Sequence, residues 1–328
     1  LYSRAHAHPR ANSVTILALL AALATAVCWA VAPFIGFPMT KSHGSFAFAR
    51  VRTLFAAGML LILLPLYAPI GEWGGAMPVS PLLLFAASGI VGIIAGDALY
   101  FAGMRRLGPR RNGMLFAAHA PFAFLYAAVF IGEIPSLLGV LGCAATIGGI
   151  VLAIRYAGDE KSFRDETNRF EVTEGSLPAA VAIGLGAAAF QALALVMVRY
   201  GMANFNGGDE PDPIFAAAIR IFAAALIVAP AAAMPFAALR PRRRPNLEFT
   251  VRAAATGFIA MVLGISLLTY ALAQDVQAGI ISSLSATSPV MVVFIQWALT
   301  KKRPRAAAFA GAAAAVAGIA MLSAAAPL

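Results

Sequence analysis

Two titratable side chains interrupt an otherwise apolar stretch, Gly89 to Pro121 (GIVGIIAGDALYFAGMRRLGPRRNGMLFAAHAP). Asp97 lies eight residues before Arg105, and His119 lies eight residues after Arg111. The stretch therefore reads as two helices joined by a short basic turn. At about 1.5 Å per residue, both groups sit about 12 Å inside an apolar layer, at matching depth. A carboxylate there is costly unless it is paired or wet. It serves either as a proton-coupling or amine-binding group, or as a buried partner for Arg50 or Arg52. An imidazole titrates near neutral pH and suits a proton relay; its plainer role is a buried ring bonded to a backbone carbonyl. Pro121 follows His119 by two residues and frees the carbonyl of Ala117, breaking the helix beside a polar side chain.

The stretch has a later echo, Gly257 to Pro289 (GFIAMVLGISLLTYALAQDVQAGIISSLSATSP). Ser282, Ser283, Ser285, Thr287 and Ser288 crowd the end of that echo, before the second helix-breaking residue, Pro289. Their hydroxyls either satisfy carbonyls freed by the proline or line a polar path. Arg52 and Arg220 each lie about two turns inside a helix. They bind an anion, act as a gate, or form structural pairs and snorkel to the surface. Glu133 ends the fourth helix on the side from which Arg220 enters, which makes it a candidate partner. Trp29, Tyr100 and Tyr270 offer faces for stacking or packing; Gln191, Gln274 and Gln296 offer amides. No HExxH, P-loop, GxSxG or Cys/His metal spacing occurs in a fitting context, so no metal or cofactor is expected. Cys28 and Cys143 fall inside apolar runs and read as packing groups rather than a disulfide framework.

The elements that must position these groups follow from composition. The 328 residues are 61% hydrophobic and only 12% charged, with mean hydropathy +0.84. A soluble domain carries about 25% charged residues, so the chain is a membrane protein. Its excess of basic residues, 24 against 14 acidic, falls in short loops between apolar runs and sets topology rather than binding nucleic acid. Ten runs are long enough to cross about 30 Å of hydrocarbon. They are Val14–Gly36, Phe46–Ala68, Leu82–Met104, Arg111–Ile131 and Pro135–Arg155, then Leu177–Arg199, Pro213–Pro235, Thr250–Ala273, Gln277–Leu299 and Arg305–Ala325. Runs of this length without alternation are helices, not barrel strands. Arg4 and Arg10 before the first run resemble the flank of a signal peptide, but the run is too long for one, and a first membrane helix is expected.

The charged segment 156–176 separates a first repeat, 14–155, from a second, 177–325, with tails at 1–13 and 326–328. Arg52 and Arg220 are 168 positions apart (220 − 52), as are Gly89 and Gly257, Gly96 and Gly264, and Pro121 and Pro289. After one insertion the match resumes with Gly142 and Gly311, and Gly149 and Gly318. Five spans per copy is an odd number, so the copies lie in opposite orientations. The fold class is therefore all-α and polytopic: ten transmembrane helices as two inverted five-helix repeats, with a site near the midplane between them. With ten spans, one face collects Lys41, Arg105, Arg106, Arg110, Arg111, Arg240, Arg242, Arg243, Arg244, Arg252 and Lys301 to Arg305. The other collects Arg4, Arg10 and the helix-end Arg199 alongside Glu72, Glu133, Asp209, Glu210 and Asp212. The basic face is cytoplasmic by the positive-inside rule, which puts both termini on the periplasmic side of a bacterial inner membrane.

Trp29–Ala30 late in the first helix, FAFARVR from Phe46 to Arg52, Pro121 and Pro289, Gly132–Glu133, and Gly142 with Gly149 together resemble the EamA-type drug/metabolite transporter superfamily. The resemblance covers about Val14 to Ala325. Two positions depart from it: Thr300–Lys301 stands where the family often has Gly–Glu, and Ala30 follows Trp29 where Gly is usual. The resemblance implies a ten-helix carrier with a central cavity that moves small organic solutes, often outward and in many cases with an ion or proton gradient. A thinly charged cavity favours a small amphipathic metabolite, such as an amino acid or amine, or a lipophilic drug. The rivals are a membrane enzyme acting on lipid head groups, for which only the acidic loop NGGDEPDP (206–213) offers a cluster, and a channel.

Overall fold

The computed structural model describes residues 9–68, 78–132, 136–155, 175–203, 212–233, 240–272, 284–285, 287–301, 303 and 305–325. The expected linker and the loop at 206–211 lie largely outside these residues. Every regular element among them is helical. α1 is Pro9–His43 and α2 is Ser45–Tyr67, separated by Gly44, whose φ of 101° turns the chain. Val79–Phe116 is a single apolar run, but Gly108 breaks it with φ 80° and ψ 165°, and Pro109 follows. The chain reverses there: Asn112 Nδ2 donates to the Tyr100 carbonyl at 2.9 Å, whereas twelve residues of straight helix would span about 18 Å. α3 therefore covers 79–107 and α4 covers 109–131. α5 is Leu137–Arg155, α6 Leu177–Ala203 and α7 Pro213–Val228. α8 covers 247–272, α9 is Ser288–Thr300 and α10 is Ala306–Ala325. Among the described residues ten apolar spans result, five of them long and apolar enough to cross a membrane and five shorter.

The duplication is visible in how the halves touch. Gly89 of α3 lies against the backbone carbonyl of Arg220 in α7. Its repeat mate Gly257 of α8 lies against the backbone carbonyl of Arg52 in α2, where an added Cβ would come within 2.7 Å. The same reciprocity joins α5 to α10: Gly142 meets the Gly318 carbonyl, and Gly311 meets the Gly149 carbonyl. Lipid tails supply no hydrophobic drive for helices to associate, so close backbone approach through small residues does this work. Thr146 strengthens the α5–α10 seam, its hydroxyl donating to the Gly142 carbonyl at 2.8 Å and lying 3.5 Å from that of Ala315.

Each half also carries a π-helical segment of seven residues, Ile90–Gly96 in α3 and Gly257–Leu263 in α8. These segments are repeat mates to within one residue. Composition and spacing foretell only continuous α-helix there; the widening accompanies the close glycine contacts at Gly89 and Gly257.

Toward one end of the bundle, aromatic rings gather. Phe34 and Phe37 of α1, Phe48 of α2, Phe101 of α3 and Phe249 of α8 form one buried cluster, with Met104 and Val292. Phe48 meets Phe101 at 5.2 Å and Phe249 at 6.0 Å, both edge-on. The cluster lies at the basic end. Arg242 N donates to the His43 carbonyl at 2.9 Å, which joins the α1–α2 turn to the loop before α8.

The seam makes a direct prediction. Gly149→Ala drives a methyl group into the α10 backbone at Gly311 and Ala315 and should destabilise the protein by about 1–3 kcal/mol. Gly148→Ala, with nothing within 4 Å of its new Cβ, should not. Thermal unfolding in detergent compares them, and equal melting temperatures would detach Gly149 from the seam.

Candidate functional site

The site begins with a charge that α2 cannot leave in lipid. Arg52 is buried one turn past Phe48, and α3 brings Asp97 to it directly after the π-helical segment. Arg52 Nη1 donates to Asp97 Oδ2 at 2.8 Å, with the two side chains 10% and 20% exposed. The guanidinium also stands 5.2 Å from the Phe101 ring centre, where the electron-rich ring face favours a cation. Arg52, not Arg50, is the partner of this carboxylate.

Arg220 approaches from the other half. The ion pair of Asp97 is with Arg52, not with Arg220. The Arg220 side chain runs to Gly92 in the π-helical segment of α3: a Cβ there would lie 3.5 Å from Arg220 Nη2 and 3.3 Å from Gln191 Oε1. Ala194 of α6 packs directly on Gly92, where an added Cβ would meet its Cβ at 2.8 Å, and Gln191 of α6 and Arg220 of α7 border this close contact.

The second half repeats the arrangement with different chemistry. Trp29 Nε1 donates to the Ala260 carbonyl in the π-helical segment of α8 at 3.1 Å, and Gly264 lies against its indole. Thr25 Oγ1 donates to the Gly264 carbonyl at 3.2 Å. Trp29 on α8 and Gln191 on α3 occupy matching places. An indole packs against one π-helical segment, and an amide beside a guanidinium borders the other.

His119 is placed apart from Asp97. Its Nδ1 donates to the Phe116 carbonyl at 2.8 Å; a carbonyl only accepts, so Nδ1 carries the proton. The Phe116 ring lies 5.4 Å from the imidazole and 4.9 Å from Tyr100, and Tyr100 stands three residues after Asp97 on α3. A row of rings therefore separates the two groups that share a depth. Beside His119 the helix tightens: Ala117 N reaches Met114 O at 3.2 Å and Ala118 N reaches Leu115 O at 3.0 Å, ahead of buried Pro121.

At the start of α9, Thr287 Oγ1 donates to the Leu284 carbonyl at 2.7 Å, Ser285 is buried, and Pro289 is buried behind them. Tyr270 is 41% exposed, on the outside of α8. Ser282, Ser283, Gln274 and Glu133 lie outside the described residues. Among the described residues, no three His, Cys, Asp or Glu side chains gather as a metal site would require. Asn112 went unnoticed in the sequence: it is fully buried and ties the two arms of the α3–α4 hairpin. An amide directly after a basic turn was the available signal.

Asp97→Asn leaves Arg52 buried without its counter-charge, which typically costs about 3–5 kcal/mol. The double variant Asp97→Asn/Arg52→Gln should regain much of the lost melting temperature in detergent. Additive losses would show that the two side chains are not coupled.

The family model described as EamA-like transporter family matches residues 16–155 and 178–324. A solved structure described only as "Crystal structure of protein" superposes with a TM-score of 0.61 at 16% sequence identity, covering 93% of this chain and 95% of that one. At that identity the likeness shows the fold alone. No curated protein matches the chain.

Proposed function

Since the chain belongs to the EamA-like transporter family, we propose that it is a secondary carrier that exports small organic metabolites or drugs by alternating access. Its family places it among proteins that move small molecules across a membrane, not among enzymes. The observation that carries the finer reading is the position of Asp97. This carboxylate lies in the interior of α3, bonded to an arginine of the first repeat, on the helix whose Gly89 packs against the backbone of the equivalent arginine of the second, Arg220. A charge held where both repeats meet responds when they rock against each other. Asp97 is the coupling group in this reading, taking up a proton when its contact with Arg52 opens. His119 has the chemistry of a second relay point, with Tyr100 and Phe116 between.

Residues 14–155 and 177–325 form the moving halves, joined by 156–176. Trp29 lies on α1, Gln191 on α6, and Ser285 and Thr287 just before α9, and we take these elements to border the solute path. The basic face is cytoplasmic in this reading, so the ring cluster around Phe48, Phe101 and Phe249 seals the cytoplasmic side. The conformation described is then the one closed to the cytoplasm.

Purified protein in vesicles with an imposed pH gradient tests the coupling. Wild type should accumulate a radiolabelled solute chosen by thermal-shift screening of amino acids, amines and nucleosides. Asp97→Asn should insert normally and lose the gradient-driven component; full transport by that variant removes Asp97 from the mechanism. Orientation has its own test. A cysteine in place of Arg243 should react with an impermeant maleimide in inverted vesicles and not in intact cells, and the opposite pattern would reverse the assignment.

A further inference from the structure

Two side chains of α1, in the first repeat, reach the backbone of α8, in the second, at its π-helical segment Gly257–Leu263. At the end of that segment the Gly264 N–H reaches back five residues, to the Ile259 carbonyl. In an α-helix it would reach back four, to Ala260. The Ala260 carbonyl thereby loses the donor that ordinary helix geometry gives it. Trp29 supplies another: its Nε1 donates to that oxygen at 3.1 Å. Thr25, one turn earlier on α1, sets its hydroxyl 3.2 Å from the Gly264 carbonyl.

The fit belongs to this form of the helix. A Cβ on Gly264 would lie 2.9 Å from Trp29 Nε1 and 3.2 Å from the Ile259 carbonyl oxygen. The missing side chain at 264 therefore admits the indole and the widened turn together. An indole N–H is a donor only, and in an apolar layer it is costly to leave unmet. Here one bond satisfies it and occupies the freed carbonyl at the same time. At the matching place in α3, Gly92 meets the methyl group of Ala194 from α6 instead. The indole bond is thus set on one side of a symmetric frame.

We propose that Trp29 is a positioning residue: its indole stands in for the Gly264 N–H, keeps the α8 segment in its widened form, and latches the first repeat to the second in the conformation described. The helices it joins are also the ones that bear the ring cluster. Ala30, the residue after Trp29, belongs to that cluster with Phe34 and Phe37 of α1, as do Phe249 and Ala253 of α8. Releasing the latch is therefore a step in opening the cluster. This second part rests on the carrier reading above; the first part does not.

The test uses the full-length protein in detergent and needs no solute. Hydrogen exchange is followed in peptides spanning 257–268 of α8 and, as an internal reference, 142–153 of α5 in the α5–α10 seam. Trp29→Phe keeps a ring and loses the N–H. It should speed exchange in α8 by about fivefold, the net worth of one hydrogen bond, and leave the seam unchanged. Gly264→Ala should do the same by displacing the indole, although Gly→Ala ordinarily strengthens a helix. The double variant should exchange no faster than the faster single one, since both substitutions remove one contact. The latch is overturned if α8 of Trp29→Phe exchanges as in wild type, if the seam speeds up equally, or if the two effects add. The link to opening is read at Val292, buried in the ring cluster, as Val292→Cys in a background of Cys28→Ala and Cys143→Ala. N-ethylmaleimide should label position 292 about fivefold faster once Trp29→Phe is added, and an unchanged rate ends the link. Labelling that never occurs in either background counts against the rocking carrier itself, while exchange in α8 still decides the latch.

Discussion

A charge inside a membrane must find a counter-charge, water or a route to the surface, and this bundle is arranged around that constraint. Arg52 enters α2 too deep to reach solvent freely, and Asp97 sits in α3 where no other acid lies on its helix. Their contact at 2.8 Å fixes α2 against α3, and Phe101 beneath the guanidinium adds a second restraint. Replacing the pair by apolar groups would cost a packed protein little. A buried ion pair is therefore weak evidence for stability and better evidence for a group that must change state. In a carrier whose halves move, such a contact is one that can open.

Backbone approach does the rest of the holding. Gly89 against Arg220 and Gly257 against Arg52 place the two arginines by their own carbonyls rather than by their side chains. The contact that joins the halves thus also sets where the charges lie. The α5–α10 seam is separate, built from glycines and Thr146 and devoid of charged residues along its described length. One interface combines packing with charge; the other only packs.

Much of this was legible in the residues. Asp97 could be placed at depth by counting from Arg105, and its short list of partners already contained Arg52. The four identities at one offset foretold the duplication, and the reciprocal glycine contacts give it a physical form. Other features left no mark. His119 shares the depth of Asp97, but depth does not fix azimuth, and Phe116 with Tyr100 intervene. Trp29 and Gln191 occupy matching places, yet an indole and an amide share no pattern that an offset search detects. The π-helical segments arise from how glycines let neighbouring backbones approach, which is a tertiary effect with no periodicity of its own.

Those widened turns have a consequence for everything that follows them in the chain. An α-helix advances about 100° per residue, so a segment that absorbs one extra residue per turn resets the azimuth of the remainder. Asp97 is the first residue after Ile90–Gly96, and its compass bearing is set by that segment. Its repeat mate Ile265 is the second residue after Gly257–Leu263. Rewinding either segment to ordinary pitch would swing its downstream half around the helix axis. Each half therefore holds a rotation in its widened segment, one per repeat.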